Sequence, residues 1–325
     1  VAKTAGFCFG VDNAVKIAMK TLQAYPNKTR TFGELIHNRQ VSEKLAAKGV
    51  DAVQSIDKLE KDEHVVIRAH GIGETVYKEL KEKQVHTHDA TCLYVKRIHK
   101  LVAEKHREGC EIIIVGDKNH PEIIGINGWC DNQALIVSEP EEAEDLPQSD
   151  RSACVVAQTT MKPEKYEEIY KFIKKKFANA IKFDTICSAT EKRQQEAREI
   201  SRQADLMVVI GGKNSSNTQK LYEICLANCP LTYKIETVAD IPSLVIKHNY
   251  TIGITAGAST PDWVIKEVVE TMDEMMNKQE TEMSFQQAFE ESTVNNLRSG
   301  EVVKGRIIGY NTSEVFVDLG YKADG

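Results

Sequence analysis

Three of the eight cysteines close short motifs of similar sequence. The motifs GFC, DATC and DTIC end at Cys8, Cys92 and Cys187, which are spaced 84 and 95 residues apart. Thiolate is the soft ligand that iron–sulfur centres use, and three thiolates can hold a 4Fe–4S cluster with one iron left free. Isolated cysteines are also often buried, so the spacing alone leaves both interpretations open.

The other five cysteines carry weaker signals. Cys110, Cys130 and Cys154 lie in or beside apolar segments, which favours packing. Cys225 and Cys229 share one face of a predicted helix, a spacing that suits a metal but more often reflects packing. Because there is no CxxC pair and the cysteines are sparse, a disulfide scaffold is excluded.

Three histidines stand beside turn residues or at predicted strand ends. His37, His70 and His120 occur in the segments LIHNR, AHG and NHPE. A protonated imidazole there can face a phosphate, and three neutral imidazoles can bind the zinc ion of a hydrolase. Taken singly, each is more simply structural. The remaining histidines are expected at the surface or in packing: His64, His86, His88, His99, His106 and His248.

Glu122 follows His120 by two residues. If it is buried, desolvation raises the pKa of its carboxyl and makes it a proton donor. The alternative is an ordinary first-turn glutamate after Pro121. A polar loop at 213–217 (KNSSN) offers hydroxyls and amides to an anion, but it lacks the GK[ST] order of a Walker loop.

The elements that must position these residues alternate between strand and helix. Apolar strand candidates that run into polar residues occur at 64–71, 111–122, 153–160, 205–217 and 250–259. A helical pattern at 162–177 has Tyr166, Ile169, Ile173 and Phe177 on one face. This alternation predicts an α/β protein with parallel sheets, whose ligands lie at the carboxyl ends of the strands.

The cysteine spacing suggests three comparable α/β units, each lending one cysteine to a shared centre. We place them at 1–91, 92–186 and 187–276. Residues 277–299 are polar and are interpreted as a linker or surface helix, and 300–325 alternate as two strands around a polar turn.

Composition excludes some classes of function. The 325 residues carry a net charge of −6 with 41% hydrophobic residues, so binding of nucleic acid through bulk charge is not expected. No apolar stretch of about 20 residues and no signal pattern occurs, so we expect a cytoplasmic protein without membrane contact. Since the first residue is Val1, we expect the natural chain to begin earlier.

Taken together, the motifs resemble one family. They are GFCFGV, HN, AHG, DATC, HPE, QTT, TIC followed by AT and RQ, KNSSN and TAGAS, in this order across residues 1–275. The resemblance is to the LytB family, the 4-hydroxy-3-methylbut-2-enyl diphosphate reductases of the non-mevalonate isoprenoid pathway. Leu93 and Asn119 depart from that pattern, where the family usually has proline and glycine.

The resemblance implies a trefoil of three α/β units around a 4Fe–4S cluster held by Cys8, Cys92 and Cys187. It implies that Glu122, Thr159 and His120 manage protons at the hydroxyl of a small allylic diphosphate, which is converted to isopentenyl and dimethylallyl diphosphate. The residues implied to bind this substrate are His37, His70, His120, Thr159, Thr160, Ser215, Ser216, Asn217 and Ser259. Ferredoxin or flavodoxin is the electron donor expected from the family.

The tail at 300–325 is similar to the opening strands of the ribosomal S-one-type repeat, an OB-fold RNA-binding module. The resemblance implies that the natural protein continues past Gly325 and that RNA binding needs the complete module. An alternative function is therefore an RNA- or ribosome-associated adaptor whose α/β body has no catalytic role.

Overall fold

The computed structural model describes residues 1–241, 249–293, 302 and 304–318. The described residues form two compact units. The first holds residues 1–241 and 250–270, and the second holds residue 249 and the described residues from 271 onward.

In the first sheet of the larger unit, strands and helices alternate along the chain as predicted. Its strands are β1 (Thr29–Phe32), β2 (Asp51–Val53), β3 (His64–Ile67) and β4 (His86–Asp89), and the helices here are α1 (Phe9–Ala24), α2 (Arg39–Ala46), α3 (Glu74–Glu82) and α4 (Leu93–Arg107). The order is β2-β1-β3-β4, and every neighbouring pair is parallel.

The second sheet repeats this arrangement. Its strands, with the helices that follow them in the chain, are β5 (Glu111–Val115), α5 (Pro121–Asn127), β6 (Leu135–Val137), α6 (Pro140–Glu144), β7 (Ala153–Ala157), α7 (Pro163–Lys176), β8 (Ala180–Lys182) and α8 (Ser188–Ser201). The order β6-β5-β7-β8 is again parallel throughout and matches the first sheet strand for strand.

The third sheet has three named strands. Its elements are β9 (Leu206–Ile210), α9 (Ser216–Leu226), β10 (Thr232–Ile235), β11 (Ile252–Ala256) and α10 (Asp262–Thr293), and the strand order is β10-β9-β11. The N–H of Ala2 donates to the carbonyl oxygen of Ile254 in β11 at 2.7 Å. The chain then leads into Cys8, as β4 leads into Cys92 and β8 into Cys187.

Burial explains why these segments form strands and helices. The residues of β7 and β9 are buried on both faces, as expected for apolar strands covered by helices on each side. In α7, Tyr166, Ile169 and Ile173 pack into the core of the second sheet, and Phe177 just past the helix is buried there too. The five predicted strand segments contain β3, β5, β7, β9 and β11, so the α/β prediction is confirmed.

The second compact unit contains two short strands, β12 (Arg306–Tyr310) and β13 (Val315–Asp318), paired in antiparallel orientation. The two strands predicted around a polar turn are therefore confirmed within the described part of 300–325. Of the segment predicted as linker or surface helix, residues 277–293 are helical and 294–299 lie outside the described residues, as does His248. Within the described residues, no helix is long and apolar enough to cross a membrane.

Candidate active site

Cys8, Cys92 and Cys187 occupy the same local position in the fold. Each is the N-cap residue of a helix, of α1, α4 and α8 respectively, and none uses its side chain to cap that helix. The N-terminus of a helix carries a partial positive charge, which stabilises a thiolate. All three side chains are partly exposed, whereas Cys130, Cys154, Cys225 and Cys229 are buried.

The backbone N–H groups of the three cysteines also make equivalent hydrogen bonds. The N–H of Cys92 donates to Ala69 after β3 at 2.9 Å, and that of Cys187 donates to Thr159 after β7 at 3.0 Å. The N–H of Cys8 donates to Ala258 after β11 at 3.2 Å. One strand-end loop of each sheet therefore holds one cysteine.

The three thiols interact electrostatically. Burial raises the pKa of Cys92 to about 11, and the thiols of Cys8 and Cys187 act in the same direction. Burial also raises the pKa of Cys187. Close thiolates repel one another unless a cationic centre compensates them, so this donor set fits a metal cluster bound by all three. A Cβ atom at Gly10 would lie 2.6 Å from Cys92 Sγ, so only glycine permits this approach.

A second group in this region consists of three histidines, of which His120 is buried and His37 and His70 are partly buried. The ligand nitrogens of His37, His70 and His120 lie within 4.8 Å of one another, and the rings of His37 and His70 are 4.3 Å apart. Burial lowers the pKa of all three, to about 3 for His120. Nδ1 of His37 lies 3.6 Å from Glu34 Oε2, whereas Nε2 of His37 and Nδ1 of His70 lack a hydrogen-bond partner within the described part of the chain. Such nitrogens are available to an anion or a metal ion.

Glu122 is a buried carboxyl in the first turn of α5, with 2% of its surface exposed. It accepts hydrogen bonds from the N–H of Thr159 at 2.6 Å and from the Thr159 hydroxyl at 2.7 Å. Its own N–H donates to His120 Nδ1 at 3.1 Å. Burial raises the pKa of Glu122, while the bonds from Thr159 oppose that shift. The Thr159 carbonyl also accepts a hydrogen bond from the N–H of Cys187. Thr159 therefore connects Glu122 to Cys187.

Hydroxyl and amide groups complete the site. The hydroxyls of Thr160 and Ser216 lie 3.1 Å apart, and that of Ser259 donates to the His37 carbonyl at 3.0 Å. Both amide atoms of Asn217 are buried and lack a partner among the residues that the structure describes. Ser215 differs, because its hydroxyl accepts from the N–H of Thr218 and so caps α9.

Two cations in this region were not singled out from the sequence. Lys220 Nζ donates to Ser216 Oγ at 2.7 Å. Arg68 donates to the Gly71 carbonyl at 3.2 Å and contributes to the lowered pKa of His120. Lys220 lies four residues after Ser216, one turn along α9, and this spacing could have revealed Lys220 from the sequence.

Comparisons with known proteins agree with this geometry. Residues 1–273 match the LytB protein family. A 4-hydroxy-3-methylbut-2-enyl diphosphate reductase of Clostridium acetobutylicum is 44% identical over the whole chain, which spans 51% of that relative. A reductase of the same name from Caldanaerobacter subterraneus subsp. tengcongensis is 46% identical over 87% of this chain and 99% of its own length. The chain thus spans about half the length of some relatives and nearly all of others.

Solved structures show the same fold. The E-1-hydroxy-2-methyl-but-2-enyl-4-diphosphate reductase of Plasmodium falciparum aligns with a TM-score of 0.78 and 29% identity, over 82% of this chain and 85% of that one. A second structure, (E)-4-hydroxy-3-methyl-but-2-enyl diphosphate reductase, aligns with a TM-score of 0.64 and 38% identity, over 84% and 98%. With three equivalent cysteines beside a buried acid and most of its length matched to one family, this chain belongs to the LytB family.

Proposed function

We propose that this chain reduces 4-hydroxy-3-methylbut-2-enyl diphosphate to isopentenyl and dimethylallyl diphosphate, the last step of the non-mevalonate isoprenoid pathway. The reaction consumes two electrons and two protons, breaks the carbon–oxygen bond, forms a carbon–hydrogen bond and releases water. The observation that carries the proposal is the link from Cys187 through Thr159 to Glu122, which joins a cluster ligand to a buried acid. Family membership supports it independently.

Cys8, Cys92 and Cys187 would hold a 4Fe–4S cluster at the meeting point of three α/β units in a trefoil. When bound, that cluster would supply the electrons, which ferredoxin or flavodoxin would deliver to the protein. The helix N-termini behind the cysteines favour the negative charge of the thiolates.

The diphosphate would lie among the histidines and hydroxyls. Nε2 of His37, Nδ1 of His70 and the Asn217 amide lack partners within the described structure, so an anion that accepts from them would satisfy them. A bound anion also raises the pKa of nearby imidazoles, so His37 and His70 would take up protons as the substrate binds.

Glu122 would donate the proton that allows the hydroxyl to leave as water. Its burial favours the protonated form, and Thr159 holds the carboxyl in one orientation. His120 accepts from the backbone of Glu122 through Nδ1, so its neutral ring carries the hydrogen on Nε2, where it can donate to the substrate.

We further propose that the protein acts in the cytoplasm and that the tail begins an OB-fold module, which would bind RNA only when complete. The two antiparallel strands β12 and β13 are consistent with such a beginning.

The cluster is tested by anaerobic purification, with iron and sulfide analysis and a visible spectrum. We expect about four iron and four sulfide per chain, and loss of most of both in Cys8→Ser, Cys92→Ser and Cys187→Ser. Cys225→Ser is the matched control, because Cys225 is a buried free cysteine elsewhere, and it should keep the cluster. A colourless wild-type protein after cluster reconstitution would contradict the proposal and leave the adaptor and zinc hydrolase functions standing.

A second candidate is a zinc hydrolase, favoured by the close approach of the three histidine nitrogens. It predicts a colourless protein that binds one zinc ion and loses it in His37→Gln or His70→Gln. Metal analysis of the same preparations decides between the two, since the reductase should contain iron bound through the cysteines.

A further inference from the structure

Lys220 is a half-buried cation that lies next to the candidate site without an acidic partner. Among the described residues it belongs to none of the ion pairs, although Glu122 and Glu223 lie near enough to affect its pKa. Its hydrogen bond is to Ser216 Oγ at 2.7 Å, one turn earlier on α9. A cation that is partly removed from water and bonded to a hydroxyl, instead of a carboxylate, needs an explanation.

The hydrogen bonds around Ser216 have a definite direction. The N–H of Asp117 donates to Gln158 Oε1, which orients the Gln158 amide so that its Nε2 donates to Ser216 Oγ at 3.3 Å. The ammonium group of Lys220 can only donate. Both lone pairs of Ser216 Oγ are therefore occupied, so its single hydrogen must be donated elsewhere.

The available acceptor is Thr160 Oγ1, 3.1 Å from Ser216 Oγ. When Ser216 donates to Thr160, the Thr160 hydroxyl is in turn free to donate its own hydrogen. Thr160 follows Thr159, which holds Glu122, and Asn217 with its unpartnered amide follows Ser216. The two oriented hydroxyls are thus next in the chain to Thr159, which holds the candidate acid, and to Asn217, whose amide is available to a ligand.

We infer that Lys220 is a positioning residue for an anionic phosphate group: through Ser216 it makes the hydroxyls of Ser216 and Thr160 donors and adds a positive charge behind them. The inference rests on the proposed function, since it assigns the orientation of hydroxyls in the same diphosphate site. Charge-assisted donors of this kind bind anions more strongly than freely rotating hydroxyls.

The experiment uses the cluster-loaded full chain and inorganic pyrophosphate as the probe, with binding measured by calorimetry. In Lys220→Met we expect the pyrophosphate Kd to rise roughly tenfold, as for loss of one charge-assisted hydrogen-bond network. The KM for the diphosphate substrate should rise by a similar factor while kcat changes by less than about threefold, because binding and not chemistry is affected. Lys220→Arg keeps a charged donor and should restore most of the affinity.

The matched control is Lys165→Met. Lys165 is a nearby lysine that pairs with Glu139 and does not bond to Ser216, so its loss should change the Kd by less than about twofold. In a Ser216→Ala background, Lys220→Met should add less than about twofold, since its path to the ligand is already broken.

The inference alone is overturned by an unchanged Kd in Lys220→Met, or by an equal loss in Lys165→Met, while the unsubstituted protein binds pyrophosphate and reduces the substrate. If the unsubstituted protein with its cluster neither binds pyrophosphate nor reduces the substrate, the proposed function fails, and this inference fails with it. A change in kcat alone would also contradict a positioning role.

Discussion

Glu122 stands in the first turn of α5 directly after a proline, a position where many glutamates merely stabilise a helix N-terminus. The chain contains a close counterpart, because Glu141 follows Pro140 in the first turn of α6. Glu141 is exposed, whereas Glu122 is buried and held by both donors of Thr159. The same local sequence therefore gives a surface residue in one helix and a candidate acid in the other.

Glu122→Gln should lower kcat by roughly 10²- to 10⁴-fold, because glutamine keeps the shape and cannot donate the required proton. The cluster content and the pyrophosphate Kd should stay within about threefold of the unsubstituted values. Steady-state kinetics with a chemical reductant provide the measurement.

Glu141→Gln makes the same chemical change at the matched exposed position and should leave kcat unaltered. A Glu122→Gln enzyme with near-normal kcat would exclude this carboxyl as the proton donor.

At the scale of elements, α1, α4 and α8 begin at the three cysteines, and their first turns are constrained by one another. Gly10, in the first turn of α1, packs against the side chain of Cys92 at the start of α4. Alanine is normally the better helix former, so the helix α1 by itself does not explain a glycine here. The contact between the two helices does.

Gly10→Ala should reduce the iron bound per chain by at least about half, although the substitution raises helix propensity. A methyl group at this position would displace Cys92 Sγ, from which its Cβ would be only 2.6 Å away. Iron analysis and the visible spectrum after reconstitution measure the effect.

Asn13→Ala, at an exposed position of the same helix, is the control and should keep the full cluster. If Gly10→Ala binds iron as well as the control does, the contact with Cys92 tolerates a methyl group and the argument from packing is wrong.

At the scale of the whole first compact unit, hydrogen bonds between distant segments connect the parts of the chain that carry Cys8 and Cys187. Arg193, buried in α8, donates to the carbonyl of Ala256 at 2.8 Å and to that of Gly6 at 3.0 Å. It thereby joins the helix that carries Cys187 to the third sheet and to the segment before Cys8. Burial lowers the pKa of Arg193, and the nearby thiols of Cys8 and Cys187 oppose that shift.

Arg193→Met should lower the free energy of unfolding by roughly 2–4 kcal/mol, because two buried carbonyls lose a charged donor. Urea denaturation, followed by circular dichroism, measures the change. Lys192→Met alters the exposed neighbour and should have little effect. A loss below about 1 kcal/mol in Arg193→Met would mean that these carbonyls find other donors.

The sequence by itself determined the elements and much of the chemistry. Apolar runs such as 111–115 and 153–157 predict buried parallel strands, because burial on both faces requires apolar side chains throughout. The motifs that end at Cys8, Cys92 and Cys187 are local, so they could be read directly. Polar residues after each strand, such as His70 and Thr159, marked the carboxyl edges of the sheets.

The tertiary structure decided which of these residues meet and in what state. The burial of Glu122, the approach of three histidine rings and the direction of the Ser216 hydrogen bonds depend on contacts between residues tens of positions apart. Desolvation and hydrogen-bond geometry are properties of such contacts and leave no local pattern in the chain. For that reason the residues around Glu122 left an ordinary first-turn role open and gave no indication of a role for Lys220, whereas packing distinguished these alternatives.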